Sequence, residues 1–341
     1  MKKVAIVILN WNGERLLEQF LPSVINNTPS EDVEIIVTDN ASTDDSVGFV
    51  ANRYPQIKLI QLTENYGYAG GYNEALKQID AEYFVLLNSD VEVTEGWLSP
   101  ITDFLDQNAD VAAVQPKIRA YRNKDRFEYA GAAGGFIDRL GYPFCRGRIF
   151  DTQEKDNGQY NESMDVFWAS GACMIIRSRD FFEAGGFDAS FFAHMEEIDL
   201  CWRLNARGRR VVCLPQSVVY HVGGATLNEE SPRKIFLNFR NNLLMLYKNL
   251  PEESLKKILR KRRYLDYLAA IHYLLKGKRK NTQAIFKALR EFKRIKSQYI
   301  EIRKENLKKT TQADIRTIYK RSIIKAYYTK GLKFFSELDK F

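Results

Sequence analysis

Apolar runs and polar clusters alternate in a fixed order along the first ninety residues. VAIVILN gives way to WNG, VEIIV to TDNASTDDS, and YFVLL to NSD. Each β-rich run closes on Asn, Asp, Ser or Gly and leads into a helical pattern, as in LTENYGYAGGYNEALK. That is the strand–loop–helix signature of a mostly parallel sheet flanked by helices, an α/β fold. In such sheets ligands lie beyond the carboxyl ends of the strands. Asn10, Trp11, Asn12, Asp39, Asn40, Asn65, Asn88 and Asp90 are therefore expected on one edge.

Further along, residues 166–208 bring three carboxylates to the start of one helix. Glu196, Glu197 and Asp199 fall within a single turn, and Leu200, Trp202 and Leu204 with Arg203 and Arg207 continue an amphipathic pattern to Gly208. Acids at a helix start are favoured by the macrodipole, so capping alone is one explanation and chemistry the other. After residue 230 the α/β pattern stops. Four helices are expected, near 232–249, 252–275, 281–309 and 312–338, with breaks at Pro251 and KGKRKN. The chain thus divides into a catalytic region, 1–230, and a basic helical region, 231–341.

Charge sharpens that division. Residues 231–341 hold 30 Lys and Arg against 9 Asp and Glu, a net +21, so residues 1–230 carry −13 within a total of +8. Ile285, Leu289, Phe292, Ile295, Tyr299 and Ile302 recur at helical spacing among Lys287, Arg290, Lys293, Arg294 and Lys296, a basic amphipathic helix suited to an anionic membrane surface or to packing on protein. Lys256 to Arg263 add charge just before the apolar stretch Tyr264 to Leu275, which falls short of the roughly 20 residues that span a bilayer. No nucleic-acid recognition motif accompanies these charges. Cys145, Cys173, Cys201 and Cys213 form no CxxC pair, and the last three sit in apolar runs; buried thiols and a reducing cytoplasm follow. The N-terminal apolar run is too short for a signal peptide.

ILNWNG, TDNASTDDS, ENYGYAGGYN, LLNSD, GGFDASFFAHMEEIDLCWR and YHVGG, in this order over residues 1–230, together resemble the family 2 glycosyltransferases of GT-A type, in the bacterial branch that contains rhamnosyltransferases. The resemblance implies an inverting enzyme that moves a sugar from a UDP- or dTDP-sugar to a glycan acceptor, lipid-linked, in surface polysaccharide synthesis. With it, the basic tail gives the expectation of a cytoplasmic enzyme peripheral at the inner face of the plasma membrane. It assigns Asp39 to a pyrimidine imide N–H, where turn capping is the plainer role. Asn10, Trp11 and Asn12 match the first nucleotide-binding loop, Trp11 stacking or merely packing. Asn40, Asn65 and Asn73 hold the nucleotide or its loop, and Gly67, Gly70 and Gly71 permit close backbone approach.

Asn88, Ser89 and Asp90 occupy the family's DXD position. A departing nucleoside diphosphate needs its charge neutralised, and Mn²⁺ or Mg²⁺ held by carboxylate oxygen does this. With Asn at the first acidic position, Asp90 is left as principal ligand and His221 as a second ligand or a structural imidazole. The family's Glu-Asp pair corresponds to Glu196-Glu197, which places the base for the acceptor hydroxyl on Glu197. Asp199 binds acceptor or braces Arg203 at i+4. Trp168 is a sugar-stacking face or a core ring, and Gly171 and Ala172 bring backbone near the donor sugar or acceptor. The polar segment 151–164 is expected as a mobile loop over the site. The two departures, Asn88 and Glu197, keep one alternative open: a catalytically decayed nucleotide-sugar or nucleic-acid binder acting through its basic tail.

Overall fold

A computed structural model describes residues 2–28, 31–223 and 231–339. The boundary at residue 230 and Gly224 of the YHVGG motif lie outside the described residues. The first third alternates as expected: β1 (Lys2–Asn10), α1 (Glu14–Asn26), β2 (Val33–Asp39), α2 (Ser46–Arg53), β3 (Lys58–Gln61), α3 (Gly67–Leu76) and β4 (Ala81–Asn88). These strands are parallel, in the order β3-β2-β1-β4. Side chains of neighbouring positions point to opposite faces of a strand. Accordingly Ala5, Val7, Phe84 and Leu86 join one buried cluster while Val4, Ile6, Tyr83 and Val85 join the other. Both faces are covered, which is why YFVLL reads as a continuous apolar run.

The sheet then turns mixed. It gains β5 (Val91–Val93), α4 (Ser99–Gln107) and β6 (Val111–Ala120). A second, five-stranded sheet begins with β7 (Gly135–Asp138), β8 (Pro143–Cys145), β9 (Arg148–Ile149) and β10 (Thr152–Gln153). The main sheet resumes with β11 (Met164–Asp165) and β12 (Cys173–Arg177), followed by α5 (Ser178–Glu183), α6 (Glu196–Ala206) and β13 (Arg210–His221). β12 lies antiparallel between β4 and β6, and β13 runs parallel to β6. All four cysteines are free and buried.

The basic region opens with α7 (Pro232–Asn249) and α8 (Glu252–Leu275), at the predicted limits. The expected 281–309 helix is α9 (Arg279–Ile295), one 3₁₀ turn and α10 (Ile300–Lys308). No single helix covers 312–338. Instead β14 (Ile318–Tyr319) joins β7 in parallel, and α11 (Ile323–Thr329) starts on a Ser322 cap. The edge of β7 offers a partner that local periodicity cannot reveal. Ile285, Phe292 and Tyr299 are buried, and Leu289 and Ile295 pack against core, so the basic helix spends its apolar stripe on protein. Only Ile302 of that stripe is exposed. Segment 151–164 is likewise pinned rather than loose: the Asp156 carboxylate pairs with Lys117 and Arg119, and Tyr160 is buried with its hydroxyl on Glu154. Among the described residues no helix is long and apolar enough to cross a membrane.

Candidate active site

Register alone brings the first site residues together. Asn10 ends β1 opposite Asp39, the last residue of β2, while Leu9 lies opposite Asn88, the last of β4. Asn10 Nδ2 donates to Asp39 Oδ1 at 3.2 Å, and Ser42 N donates to Asp39 Oδ2 at 2.9 Å. Asn12, in the left-handed region at φ 50°, accepts from Thr43 N at 2.7 Å. These bonds fold the first two loops onto each other. Trp11 stays 44% exposed beside them, its ring open to a ligand.

The next loop is held by asparagines. Asn40 Nδ2 donates to Asn65 Oδ1 at 3.1 Å and to Gly67 O at 3.0 Å, and its Oδ1 accepts from Tyr66 N at 3.0 Å. Asn73 bonds Phe187 through both backbone groups, at 2.8 and 3.0 Å. Asn40, Asn65 and Asn73 therefore fix loops to one another. Gly67 has φ +70°, and a Cβ there would lie 2.5 Å from Phe192 O. At Gly70 and Gly71 a Cβ would meet Tyr66 and Leu9 at 2.9 Å, so both glycines serve helix packing.

At the end of β4 the polar groups face β13. Asp90 Oδ1 lies 3.0 Å from His221 Nε2, and Asn88 Nδ2 lies 3.5 Å from the same nitrogen. Behind the ring, Glu128 Oε1 is 3.3 Å from Nδ1. Burial disfavours the imidazolium, but Glu128 and Asp90 outweigh it and push His221 up to about 10. Burial also opposes the Asp90 charge, and His221 nevertheless holds its carboxyl below the usual range. A carboxylate behind an imidazole is the arrangement that orients metal-binding histidines. Among the described residues no group of three or more His, Cys, Asp or Glu is gathered for a cation. The Asp90 carboxylate and the His221 imidazole, which ligates only after giving up its proton, are the groups this turn presents to a cation whose shell substrate phosphates and water complete. Ser89 shares this turn, its Oγ close to Gly13.

The acidic helix start is built differently. Phe192, His194 and Met195 all have positive φ, 63°, 71° and 75°, turning the chain sharply into α6. Asn241 of α7 holds that turn, its Nδ2 within 3.0 Å of the carbonyls of Phe191, Ala193 and His194. Glu196 and Glu197 each keep a buried Oε2 with no hydrogen-bond partner. Burial, then the neighbouring Glu197, raises Glu196 well above the carboxylate range, and burial raises Glu197 against its backbone hydrogen bonds. Asp199, by contrast, is saturated: Lys248 at 2.8 Å, Asn249 at 2.8 Å and Arg203 at 3.1 Å surround it. It braces Arg203, and with no exposed surface it has none to offer an acceptor.

Tyr68 connects the two halves. It lies near enough to Glu196 and Glu197 for their charge to help raise its phenol, after burial. Its hydroxyl donates to Gly171 O at 2.6 Å, and Ala172 O accepts from Asn88 N at 3.0 Å. A Cβ on Gly171 would sit 2.6 Å from that hydroxyl. Trp168 is a core ring: it is 3% exposed and donates through Nε1 to Phe136 O at 3.0 Å. Glu128, Tyr68 and the α7 groups escaped the sequence, because FEYAGAAGG lacks periodicity and α7 is distant in the chain.

A parallel sheet turned mixed, with its polar groups at the strand ends, is the GT-A architecture. The Staphylococcus aureus TarS 1–349 structure with UDP-GlcNAc superposes with a TM-score of 0.56 at 16% identity, covering 90% of this chain and 89% of that one. A mannosyltransferase from Pyrobaculum calidifontis, solved with GDP-Man and Mn²⁺, gives 0.52 at 16%, covering 85% and 86%. Residues 5–179 match Glycosyl transferase family 2, and the chain belongs to that family. It is 28% identical over 234 residues to the N-acetylglucosaminyl-diphospho-decaprenol L-rhamnosyltransferase of Mycobacterium tuberculosis, covering 63% of this chain and 75% of that one. The Escherichia coli K12 rhamnosyltransferase WbbL is 25% identical over 236 residues, covering 64% and 83%. The chain is thus of the rhamnosyltransferase-like branch.

Proposed function

We propose that this family 2 glycosyltransferase transfers a sugar, with inversion, from a UDP- or dTDP-sugar to a lipid-linked glycan acceptor at a membrane surface. One observation carries the reading. The two acids with orphaned oxygens lie within electrostatic reach of Tyr68, whose hydroxyl leads through Gly171, Ala172 and Asn88 to the Asp90–His221 pair. That proximity supports reading the acids as the source of the base and the Asp90–His221 turn as the diphosphate side of one site. The name of the mycobacterial relative, which carries a lipid diphosphate, supports the acceptor class.

In this mechanism Asp39 accepts from the base imide and Trp11 offers its face to the ring. Asp90 and His221 would hold a divalent cation, which would supply charge neutralisation for the leaving diphosphate. Glu197, ionised, takes the proton of the acceptor hydroxyl as its oxygen attacks the anomeric carbon from the side opposite the diphosphate. Glu196 is buried and Glu197, half-buried, keeps one oxygen out of water, which strengthens the field at the reacting oxygen. A panel of nucleotide sugars tested with Mn²⁺ for turnover and thermal stabilisation decides it. We expect one pyrimidine-diphosphate sugar to do both, with NMR reporting an inverted linkage. Stabilisation by none of them, with salt-steep retention on RNA, would favour a decayed binder.

A further inference from the structure

The apolar positions of α8 are split between two sides. Its inner side is anchored: Arg262 is buried, stacks 3.9 Å over the Tyr142 ring and donates to Leu140 O at 2.9 Å. On the outer side Tyr264, Leu268, Ile271, Leu274 and Leu275 follow at spacings of three and four, which sets them in one stripe. They are 64%, 44%, 50%, 51% and 83% exposed. Scattered exposed apolar residues need no explanation, but five in a continuous stripe mark an interaction surface. This is a different face from the α9 stripe, which is buried.

Charge decides what covers it. Two turns earlier on the same side, Lys256, Lys257, Arg260 and Lys261 are exposed, and Lys276, Arg279 and Lys280 follow the stripe. Of the three carboxylates on α8, Glu252 pairs with Arg303 and Asp266 is buried beside Arg262, leaving Glu253. A second copy docked about a two-fold axis would bring these cations against one another. A nucleic acid would satisfy the cations and leave the leucines in water. An anionic bilayer satisfies both, with basic side chains among headgroups, Leu and Ile at the acyl boundary and tyrosine between.

We propose that the outer face of α8, with the basic turn that follows it, docks this protein onto an anionic lipid surface. The proposal deepens the reading of a lipid-linked acceptor and rests on it for its purpose, although the surface stands on its own observations. Docking also bears on the site. Asn242 of α7 accepts from Arg262, and α7 is the helix whose Asn241 and Lys248 hold the acidic turn and Asp199.

The full-length chain is sedimented with vesicles of phosphatidylcholine alone and with vesicles mixed with phosphatidylglycerol. Binding is expected only with the anionic vesicles and should fall with salt. Replacing Ile271, Leu274 and Leu275 together by Gln should weaken it at least tenfold. Replacing Lys256, Lys257, Arg260 and Lys261 by Gln should weaken it by about fivefold per residue at low salt. Both variants should keep the wild-type circular dichroism spectrum and turnover of a water-soluble acceptor. Equal binding to neutral vesicles, wild-type binding by either variant, or a dimer that the Gln variant dissociates without any vesicle binding would overturn the proposal. Vesicle binding without turnover of any nucleotide sugar would instead sink the transferase reading and leave the docking face standing.

Discussion

A carboxylate that must take a proton works only while ionised, and Glu197 titrates above the ordinary carboxylate range because it is buried. Transfer should therefore fall as pH drops through a value higher than the roughly 4.3 of a free glutamate. Glu197→Gln should lower kcat by about 10²-fold or more and abolish that acid limb, with donor Kd unchanged. A pH series of both proteins checks this, and the same loss in Glu196→Gln alone would move the base by one residue. Asp90→Asn makes a separate statement. With Asn88 beside it, no carboxylate remains in the turn, so Mn²⁺-dependent turnover and stabilisation by nucleoside diphosphate should both disappear in a titration of the metal.

At the scale of elements, Asp199 ties α6 to α7. Burial acts against its charge, yet Lys248 and Arg203 keep its carboxyl below the usual range. A depressed acid contributes stability that is present above its unfolded pKa and lost as pH falls through the folded one. Asp199→Asn leaves a buried lysine and arginine under-compensated and should cost about 3–5 kcal/mol in a denaturant melt at neutral pH. The acidic turn would loosen with it, so kcat should drop even under conditions where the variant stays folded. The alternation in residues 1–90 made β1, β2 and β4 legible, together with the loops that carry Asn10, Asp39 and Asn88. The Asp199–Arg203 pair was legible for the same reason, being local. Asn73 reads as holding the nucleotide or its loop and Gly71 as permitting close backbone approach; Asn73 bonds Phe187 and Gly71 lies against Leu9, a distinction the sequence hides because a loop that grips another loop has the same composition as one that grips a nucleotide. In α9 the period showed that one face is covered and was silent on what covers it. The misread stretch at 312–338 failed on a distant partner, since Ile318 pairs with Ile137.

For the molecule as a whole, the basic region is joined to the catalytic one by a shared core. Leu255, Phe292, Tyr319 and Ile323 belong to the same cluster as Phe84 and Trp168. Ending the chain at residue 311 should yield a protein that binds hydrophobic dye, lacks a cooperative thermal transition and transfers no sugar. A truncated protein with wild-type melting behaviour would refute this. The attachment of β14 also governs the order of assembly. Arg139 N donates to Tyr319 O at 2.9 Å, and Ile323 N donates to Asp138 Oδ2 at 2.9 Å, so the second sheet is closed by residues made long after the strand they cover. At ribosomal rates the interval between Ile137 and Ile318 lasts roughly 10 to 40 seconds. Through that interval the nascent chain carries Phe136 and Phe144 without the Tyr319 ring that packs on Phe144 at 5.9 Å, so the second sheet keeps an open edge until almost the whole chain has been made.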